Sequence, residues 1–187
     1  MLSPDRITRA LVIQAHPDDV DFGAAGTVAH LTDAGVAVSY CLVTDGQAGG
    51  FDLTIPRTEM AAIRREEQTK AAAEVGVTDL CFLGRMDGEV VSDLSLRHDV
   101  TRVIRHVRPD VVMMHTPSIV VASVYGSHAD HVATGQATWS AVYPDARNPF
   151  AFPELLTSGY EPWTVSEMWI INHPDSIRVT IKAQANV

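Results

Sequence analysis

Apolar segments of strand length alternate with longer helical segments along most of this 187-residue chain. The predicted strands are Ala10–Ala15, Ala37–Thr44, Leu80–Leu83, Asp110–His115 and Glu167–Ile171. The predicted helices are Gly23–Ala34, Thr58–Val75 with Thr58 as its cap, Ser92–Val107, and a segment from His128 to about Val142. Strands and helices that alternate in this way build βαβ units with right-handed crossovers. We therefore expect an α/β fold, a three-layer α/β/α sandwich around a mostly parallel, Rossmann-like sheet.

The length of the chain and its hydrophobic content of 46% fit one domain with a sizeable core, which we expect to span residues 1–187. The segment Pro144–Trp163 is predicted to be irregular because four prolines interrupt it. The end of the chain, Lys182–Val187, has no closing helix. This ending favours a truncated or shortened form of a longer protein.

The composition excludes several classes of partner. The net charge is −9 and no basic stripe is interleaved with aromatic residues, which argues against nucleic acid binding. No apolar run reaches the roughly 18 to 20 residues of a membrane span, and the N-terminus lacks the pattern of a signal peptide. Cys41 and Cys81 lie inside apolar runs, as expected for buried thiols in a reducing cytoplasm. We expect a cytoplasmic protein with a small-molecule substrate, and a homo-oligomer stays open.

Two motifs rich in histidine and aspartate follow predicted strand ends. His16-Pro17-Asp18-Asp19 follows the first strand, and His128-Ala129-Asp130-His131 opens the last predicted helix. Zinc accepts imidazole and carboxylate ligands, and a catalytic zinc site has three protein ligands and one water. Because parallel sheets bind ligands outside the carboxyl ends of their strands, the two motifs can converge at one edge. We therefore predict one zinc site per chain, built for amide hydrolysis.

The spacing within the motifs suits this chemistry. His16 and Asp19, three positions apart on a tight turn, can ligate one small ion, and Asp18 is then available as a base toward bound water. His128 and His131 lie on the same face of a helix. One of these two imidazoles can supply the third ligand while the other faces the substrate.

Each motif alone also fits a plain structural role. Asp18 and Asp19 suit a helix N-terminus through the helix dipole, and Ser127 suits the N-cap of the last helix. In the functional interpretation, by contrast, Asp130 can form a hydrogen bond to an imidazole N–H, which would fix the tautomer of the ring or favour its charged form. Since the two motifs carry complementary ligand types, metal binding is favoured over either structural role.

Other polar residues carry weaker signals. His115 ends a predicted strand at the same edge, but no ligand spacing links it to a partner, so we interpret it as structural. Arg64 lies on a predicted helix, where charges commonly face water, and Asp87 precedes a glycine as in many turns. No G-x-G-x-x-G follows the first strand, so a dinucleotide site is not expected.

The two motifs, in this order and at this spacing, resemble those of the LmbE-like, or PIG-L-like, N-deacetylase superfamily. The resemblance covers roughly Ala10 to Trp139. It also includes Thr44-Asp45-Gly46, Arg64-Arg65-Glu66-Glu67, Leu83-Gly84 followed by Asp87-Gly88, and Arg108-Pro109-Asp110-Val111-Val112. The family usually has proline where this chain has Ala129. Some members have tyrosine at the position of Gly126, whereas here Tyr125 precedes it.

The resemblance implies a role for each matching residue. The implied zinc ligands are His16, Asp19 and His131. The implied general base is Asp18. His128 would stabilise the oxyanion or protonate the leaving amine, with Asp130 as its orienting partner, and Arg64 and Asp87 would contact the polar substrate. The implied reaction is zinc-dependent removal of an N-acetyl or other N-acyl group from a small molecule that contains an amino sugar.

Two alternatives stay open at this point. The first is an amidase that acts on a larger amide of the thiol-conjugate type, and the loops Gln47–Ile55 and Pro144–Trp163 would separate it from a sugar deacetylase. The second is a non-catalytic module that binds metal or sugar. Asp18 and His128 argue against such a module, because binding alone needs neither a base nor an acid. Iron(II) or cobalt(II) also fits the predicted ligands.

Overall fold

A six-stranded sheet lies at the centre of the computed structural model, which describes residues 6–171, 173, 175 and 177–181. The strands are β1 Arg9–Gln14, β2 Ala37–Thr44, β3 Asp79–Arg85, β4 Val111–Met114, β5 Glu167–Ile170 and β6 Ile177–Thr180. The helices are α1 Asp19–Gly23, α2 Ala25–Asp33, α3 Arg57–Glu74, α4 Leu94–Val107, α5 Ala129–Val142 and α6 Pro153–Thr157. Short 3-10 turns occur at Tyr125–Ser127 and Asp145–Arg147.

The strand order is β3-β2-β1-β4-β5-β6, and every neighbouring pair is parallel except β5 with β6. The first strand bonds to β2 on one side and to β4 on the other, with Ile13 opposite both Cys41 and Met114. The chain therefore changes its direction of travel across the sheet at β1. Such a switch point opens a crevice at the carboxyl ends of the strands, where ligands bind in open α/β sheets.

The side chains at alternate positions of the strands pack into two separate hydrophobic cores, one on each face of the sheet. Leu11 and Ile13 pack in the core formed with α4 and α5, which includes Ile104 from α4. Ala10 and Val12 pack in the opposite core, formed with α1, α2 and α3. A central strand covered by helices on both faces is apolar throughout, which explains the run at residues 10–13. The predicted three-layer α/β/α sandwich and its mostly parallel sheet are confirmed.

Several predicted boundaries are wrong. The predicted helix Gly23–Ala34 corresponds to α2, but the sequence analysis missed the short helix α1 before it, which ends where the backbone turns at Ala24, with φ of −151°. Helix α3 begins at Arg57, after an extended Pro56, so Thr58 is not its cap. The sequence analysis also missed β6. These features depend on turns and edge pairing that leave little trace in hydrophobic periodicity.

The segment predicted to be irregular contains a 3-10 turn and helix α6. The guanidinium of Arg105, buried beneath it, donates hydrogen bonds to the carbonyls of Asp145, Ala146, Asn148 and Ala151. These contacts span about forty residues of sequence, from 40 to 46 positions. A long-range anchor of this kind orders a proline-rich segment that local sequence patterns mark as a loop.

Three further sequence expectations concern the cysteines, membrane-spanning helices and the end of the chain. Cys41 and Cys81 are free thiols at neighbouring positions on β2 and β3; Cys41 is buried as predicted, whereas Cys81 is half-buried because β3 is an edge strand. Among the described residues, no helix is both long enough and apolar enough to cross a bilayer. The predicted ending, Lys182–Val187, lies outside the described residues.

Helix α5 packs unusually close to the end of β4. A Cβ atom added at Gly135 would lie 2.4 Å from the carbonyl oxygen of Thr116 and 2.8 Å from that of His115. Only a glycine lets the helix approach this backbone. Since His131 lies one turn before Gly135, the close approach also sets where the imidazole of His131 meets the carboxyl edge of the sheet.

We predict that Gly135→Ala lowers the free energy of unfolding by about 1–3 kcal/mol, because the new methyl group overlaps fixed backbone atoms. Gly26→Ala in α2 is the matched control: nothing lies within 4 Å of its Cβ position, and alanine favours a helix. Urea unfolding of both variants in chelator measures the difference. Equal stability of the two variants would contradict the close packing of α5.

Candidate active site

The two histidine- and aspartate-rich motifs meet at the carboxyl edge of the sheet, on either side of the switch point. The first motif forms the turn between β1 and α1, and the second begins α5. They border a cavity of about 600 Å3. The charged and aromatic side chains that line it are Asp18, Asp19, Arg64, Asp87, Tyr125, and the three imidazoles of His16, His128 and His131.

The three predicted metal ligands lie within a few ångströms of one another. The Nδ1 atom of His16 lies 3.2 Å from Nε2 of His131 and 3.4 Å from Oδ2 of Asp19. Nε2 of His131 lies 3.1 Å from Oδ1 of Asp19. Ligand atoms around a tetrahedral zinc with bonds of about 2.0–2.1 Å are about 3.3 Å apart. The spacing and the chemistry of these two imidazoles and one carboxylate therefore fit zinc.

The sequence analysis missed the part that His115 plays at this site. Its Nε2 lies 3.2 Å from Oδ2 of Asp19, and its ring stacks on that of His131 with centroids 4.1 Å apart. Asp19, His115 and His131 are one group of side chains whose atoms could hold a metal ion, and His16, His128 and His131 are another. The one available signal was that His115 ends its strand at the edge where both motifs lie.

The carboxylate of Asp130 contacts His16 rather than His128, the partner predicted for it, and only the backbone N–H of Asp130 bonds to His128. The Asp130 carboxylate is fully buried, and its Oδ2 lies 3.1 Å from Nε2 of His16. It also accepts hydrogen bonds from the backbone N–H groups of Gly88 at 2.7 Å and Val90 at 3.2 Å. Asp130 therefore fixes the ring of His16, the predicted ligand on the other motif. Helix α5 and the β3–α4 loop together place its carboxylate there.

Asp87 also faces His16. Its Oδ1 lies 3.3 Å from Nε2 of His16, while its Oδ2 accepts a hydrogen bond from the N–H of Ala48 at 3.0 Å. Asp87, Asp130 and His16 form a further group of potential metal ligands. The side chain borders the cavity, so a contact with substrate stays a prediction.

The electrostatics of this cluster favour a positive charge. Burial lowers the pKa of His16, but the carboxylates of Asp130, Asp19 and Asp87 outweigh burial and raise it to about 11. Burial would raise the pKa of Asp19, yet hydrogen bonds from His115, His131 and His16 hold it well below its usual value. A divalent cation placed among these groups would be stabilised by the same carboxylates.

Asp18, the predicted base, stands between this cluster and helix α3. Its side chain is 42% exposed, and its Oδ2 lies 2.5 Å from Nη2 of Arg64. The same Nη2 donates to the carbonyl of Pro17 at 2.8 Å, and Nη1 of Arg64 pairs with Glu67. Burial raises the pKa of Asp18, and the guanidinium of Arg64 opposes this shift. Arg64 thus contacts the predicted base, and its predicted contact with substrate stays untested.

His128 is exposed at the mouth of the cavity and caps α5. Its Nδ1 accepts a hydrogen bond from the N–H of Asp130 at 3.2 Å, so the cap is His128 and not Ser127. This bond assigns the ring proton of neutral His128 to Nε2. The ring centroid lies 5.1 Å from that of His16. Tyr125 also borders the cavity, with its ring 5.5 Å from that of His131.

The fold and the site together define an α/β protein with a cluster of potential metal ligands at the switch point of a Rossmann-like sheet. Residues 11–142 match the family described as PIG-L: GlcNAc-PI de-N-acetylase. The match covers more than half of the chain, so the chain belongs to the PIG-L family, as the motifs predict.

Two relatives and one solved structure show how far the similarity extends. The chain is 36% identical to diacetylchitobiose deacetylase of Thermococcus kodakarensis over 129 residues, 69% of this chain and 47% of the relative. It is 32% identical to a probable N-acetyl-alpha-D-glucosaminyl L-malate deacetylase 2 of Bacillus cereus, over 81% of this chain and 69% of the relative. The structure of N,N'-diacetylchitobiose deacetylase from Pyrococcus horikoshii matches with a TM-score of 0.84 and 32% identity, over 90% of this chain and 62% of that chain. The chain thus spans 47% to 69% of the length of these proteins.

We predict that Asp130→Asn weakens zinc binding about 10- to 100-fold, because His16 loses the carboxylate that fixes its ring. Competition with a chromogenic chelator measures the affinity. Asp33→Asn removes the same charge from an exposed position on α2 and serves as the control. Wild-type zinc affinity in Asp130→Asn would show that the contact with His16 does not support a metal ligand.

Proposed function

We propose that this chain is a zinc-dependent hydrolase that removes an N-acetyl group from a small molecule containing an amino sugar. The observation that carries the proposal is the combination of a zinc-compatible ligand triad with an adjacent aspartate in one open cavity. A binding module needs the triad but has no need of the aspartate. The named substrates of the relatives, diacetylchitobiose and N-acetyl-glucosaminyl malate, support the N-acetyl sugar class over a larger amide.

The residues that would hold one zinc ion per chain are His16, Asp19 and His131. Zinc at this position would polarise the acyl oxygen and lower the pKa of a water toward about 7. Asp130 and Asp87 hold the outer nitrogen of His16, which leaves its Nδ1 for the metal. The proposal extends to a single domain over residues 1–187 and to a cytoplasmic location, where free thiols persist.

Asp18 takes the role of general base. Its Oδ2 is held by Arg64, so we assign the incoming proton to Oδ1. The water oxygen bonds to the carbonyl carbon as its proton moves to Asp18. Asp18 then returns the proton to the nitrogen as the C–N bond breaks, and the products are acetate and a free amine.

His128 opposes the charge that develops on the carbonyl oxygen. Its Nδ1 is engaged with the backbone of α5, so the proton on Nε2 is the one available for donation. A donor fixed in this way needs no reorganisation as the charge appears. Arg64 and Asp87, which border the same cavity, are proposed to contact the polar groups of the sugar.

The test is acetate release from N-acetylglucosamine and diacetylchitobiose by zinc-loaded protein, chelated protein and zinc-loaded Asp18→Ala. We expect release by the zinc-loaded protein only. Asp18→Ala should keep its zinc and lose roughly 100- to 10,000-fold in rate, the usual scale of acid–base assistance. Asp33→Ala, an exposed aspartate on α2, should match the unaltered protein.

The outcomes separate the alternatives. Acetate release that needs both zinc and Asp18 establishes the hydrolase and its base. No release from any sugar, with zinc bound, would overturn the sugar deacetylase. Hydrolysis of larger N-acyl amides by that same protein would then point to the amidase, and the absence of any hydrolysis to a binding module.

A further inference from the structure

We propose that Gln68, on helix α3, is a positioning residue that holds Asp18 in its reactive orientation. The inference rests on the proposed role of Asp18 as the base. The Oε1 atom of Gln68 accepts a hydrogen bond from the backbone N–H of Asp18 at 2.5 Å. Its Nε2 donates to Oδ1 of Asp21 at 3.4 Å, on the first turn of α1.

The backbone of Asp18 needs an anchor of this kind. Its φ of 96° lies in the left-handed region, which L-residues other than glycine rarely adopt. A residue stays in such a conformation only where its surroundings hold it. Relaxation of φ would swing the carboxylate of Asp18 away from the cavity that it now borders.

Four hydrogen bonds hold the three polar groups of Asp18. Gln68 takes the N–H, and Nη2 of Arg64 takes the carboxylate. The carbonyl accepts from the N–H groups of Asp21 at 2.9 Å and Phe22 at 3.2 Å, as α1 begins. Without Gln68, the backbone N–H of Asp18 would lose its hydrogen-bond partner, while the carboxylate and the carbonyl would keep theirs.

The position of Gln68 on α3 supports a specific role. It is 2% exposed, and it and Ala72 are the two buried residues of this helix. The amphipathic pattern of a helix places apolar residues at such positions. Gln68 also lies one turn after Arg64, so consecutive turns of α3 hold the backbone and the carboxylate of Asp18.

The test is a double-mutant cycle of Gln68→Met with Asp18→Ala, measured as kcat, KM and zinc content. Methionine matches the length of glutamine but lacks the acceptor. In the unaltered background we expect Gln68→Met to lower kcat about 10- to 100-fold through misplacement of the base, with KM within about twofold and zinc retained. In the Asp18→Ala background we expect no further loss. Gln136→Met, at an exposed glutamine of α5, is the control.

The cycle separates positioning from stability. The same fold-loss in both backgrounds, or unchanged kcat, would overturn the proposal. Gln68→Ala is measured in parallel. If neither variant folds, Gln68 contributes to stability alone, and the proposal is overturned. Full activity in Asp18→Ala would refute the proposed base itself, whereas an inactive Asp18→Ala beside a fully active Gln68→Met would refute only the role of Gln68.

Discussion

The hydrogen bonding of β1 to both β2 and β4 is the constraint on which the candidate site depends. It places the turn after β1 beside the segment after β4, so that His16 and His131 come within 3.2 Å although 115 positions separate them. The close approach of α5, permitted by Gly135, completes this convergence. A sheet in which β4 paired elsewhere would leave the two motifs apart.

The buried carboxylate of Asp130 fixes the geometry at the point where the two motifs meet. It links α5, the β3–α4 loop and the first motif through His16, Gly88 and Val90. A buried charge is tolerated only where it is paired and hydrogen-bonded, and Asp130 meets both conditions. Its contact with Nε2 of His16 leaves Nδ1 of that ring facing His131 and Asp19, where the metal site is proposed.

Much of the fold and the core of the site could be predicted because their signals are local. Alternating apolar strands and helices predict the layers, and a histidine and an aspartate three positions apart after a strand predict a ligand pair. The partner of Asp130, the contact of His115 with Asp19 and the anchor at Gln68 could not be predicted in this way. They depend on rotamers and on contacts across 50 to 114 residues, for which the sequence carries no periodic signal.

The most direct test is a crystal structure with zinc added, in which anomalous diffraction at the zinc edge locates the ion. The account predicts one zinc per chain, bound by Nδ1 of His16, Nε2 of His131 and the carboxylate of Asp19, with an open position toward Asp18. Zinc bound instead by Asp19, His115 and His131, or by His16, Asp87 and Asp130, would contradict it.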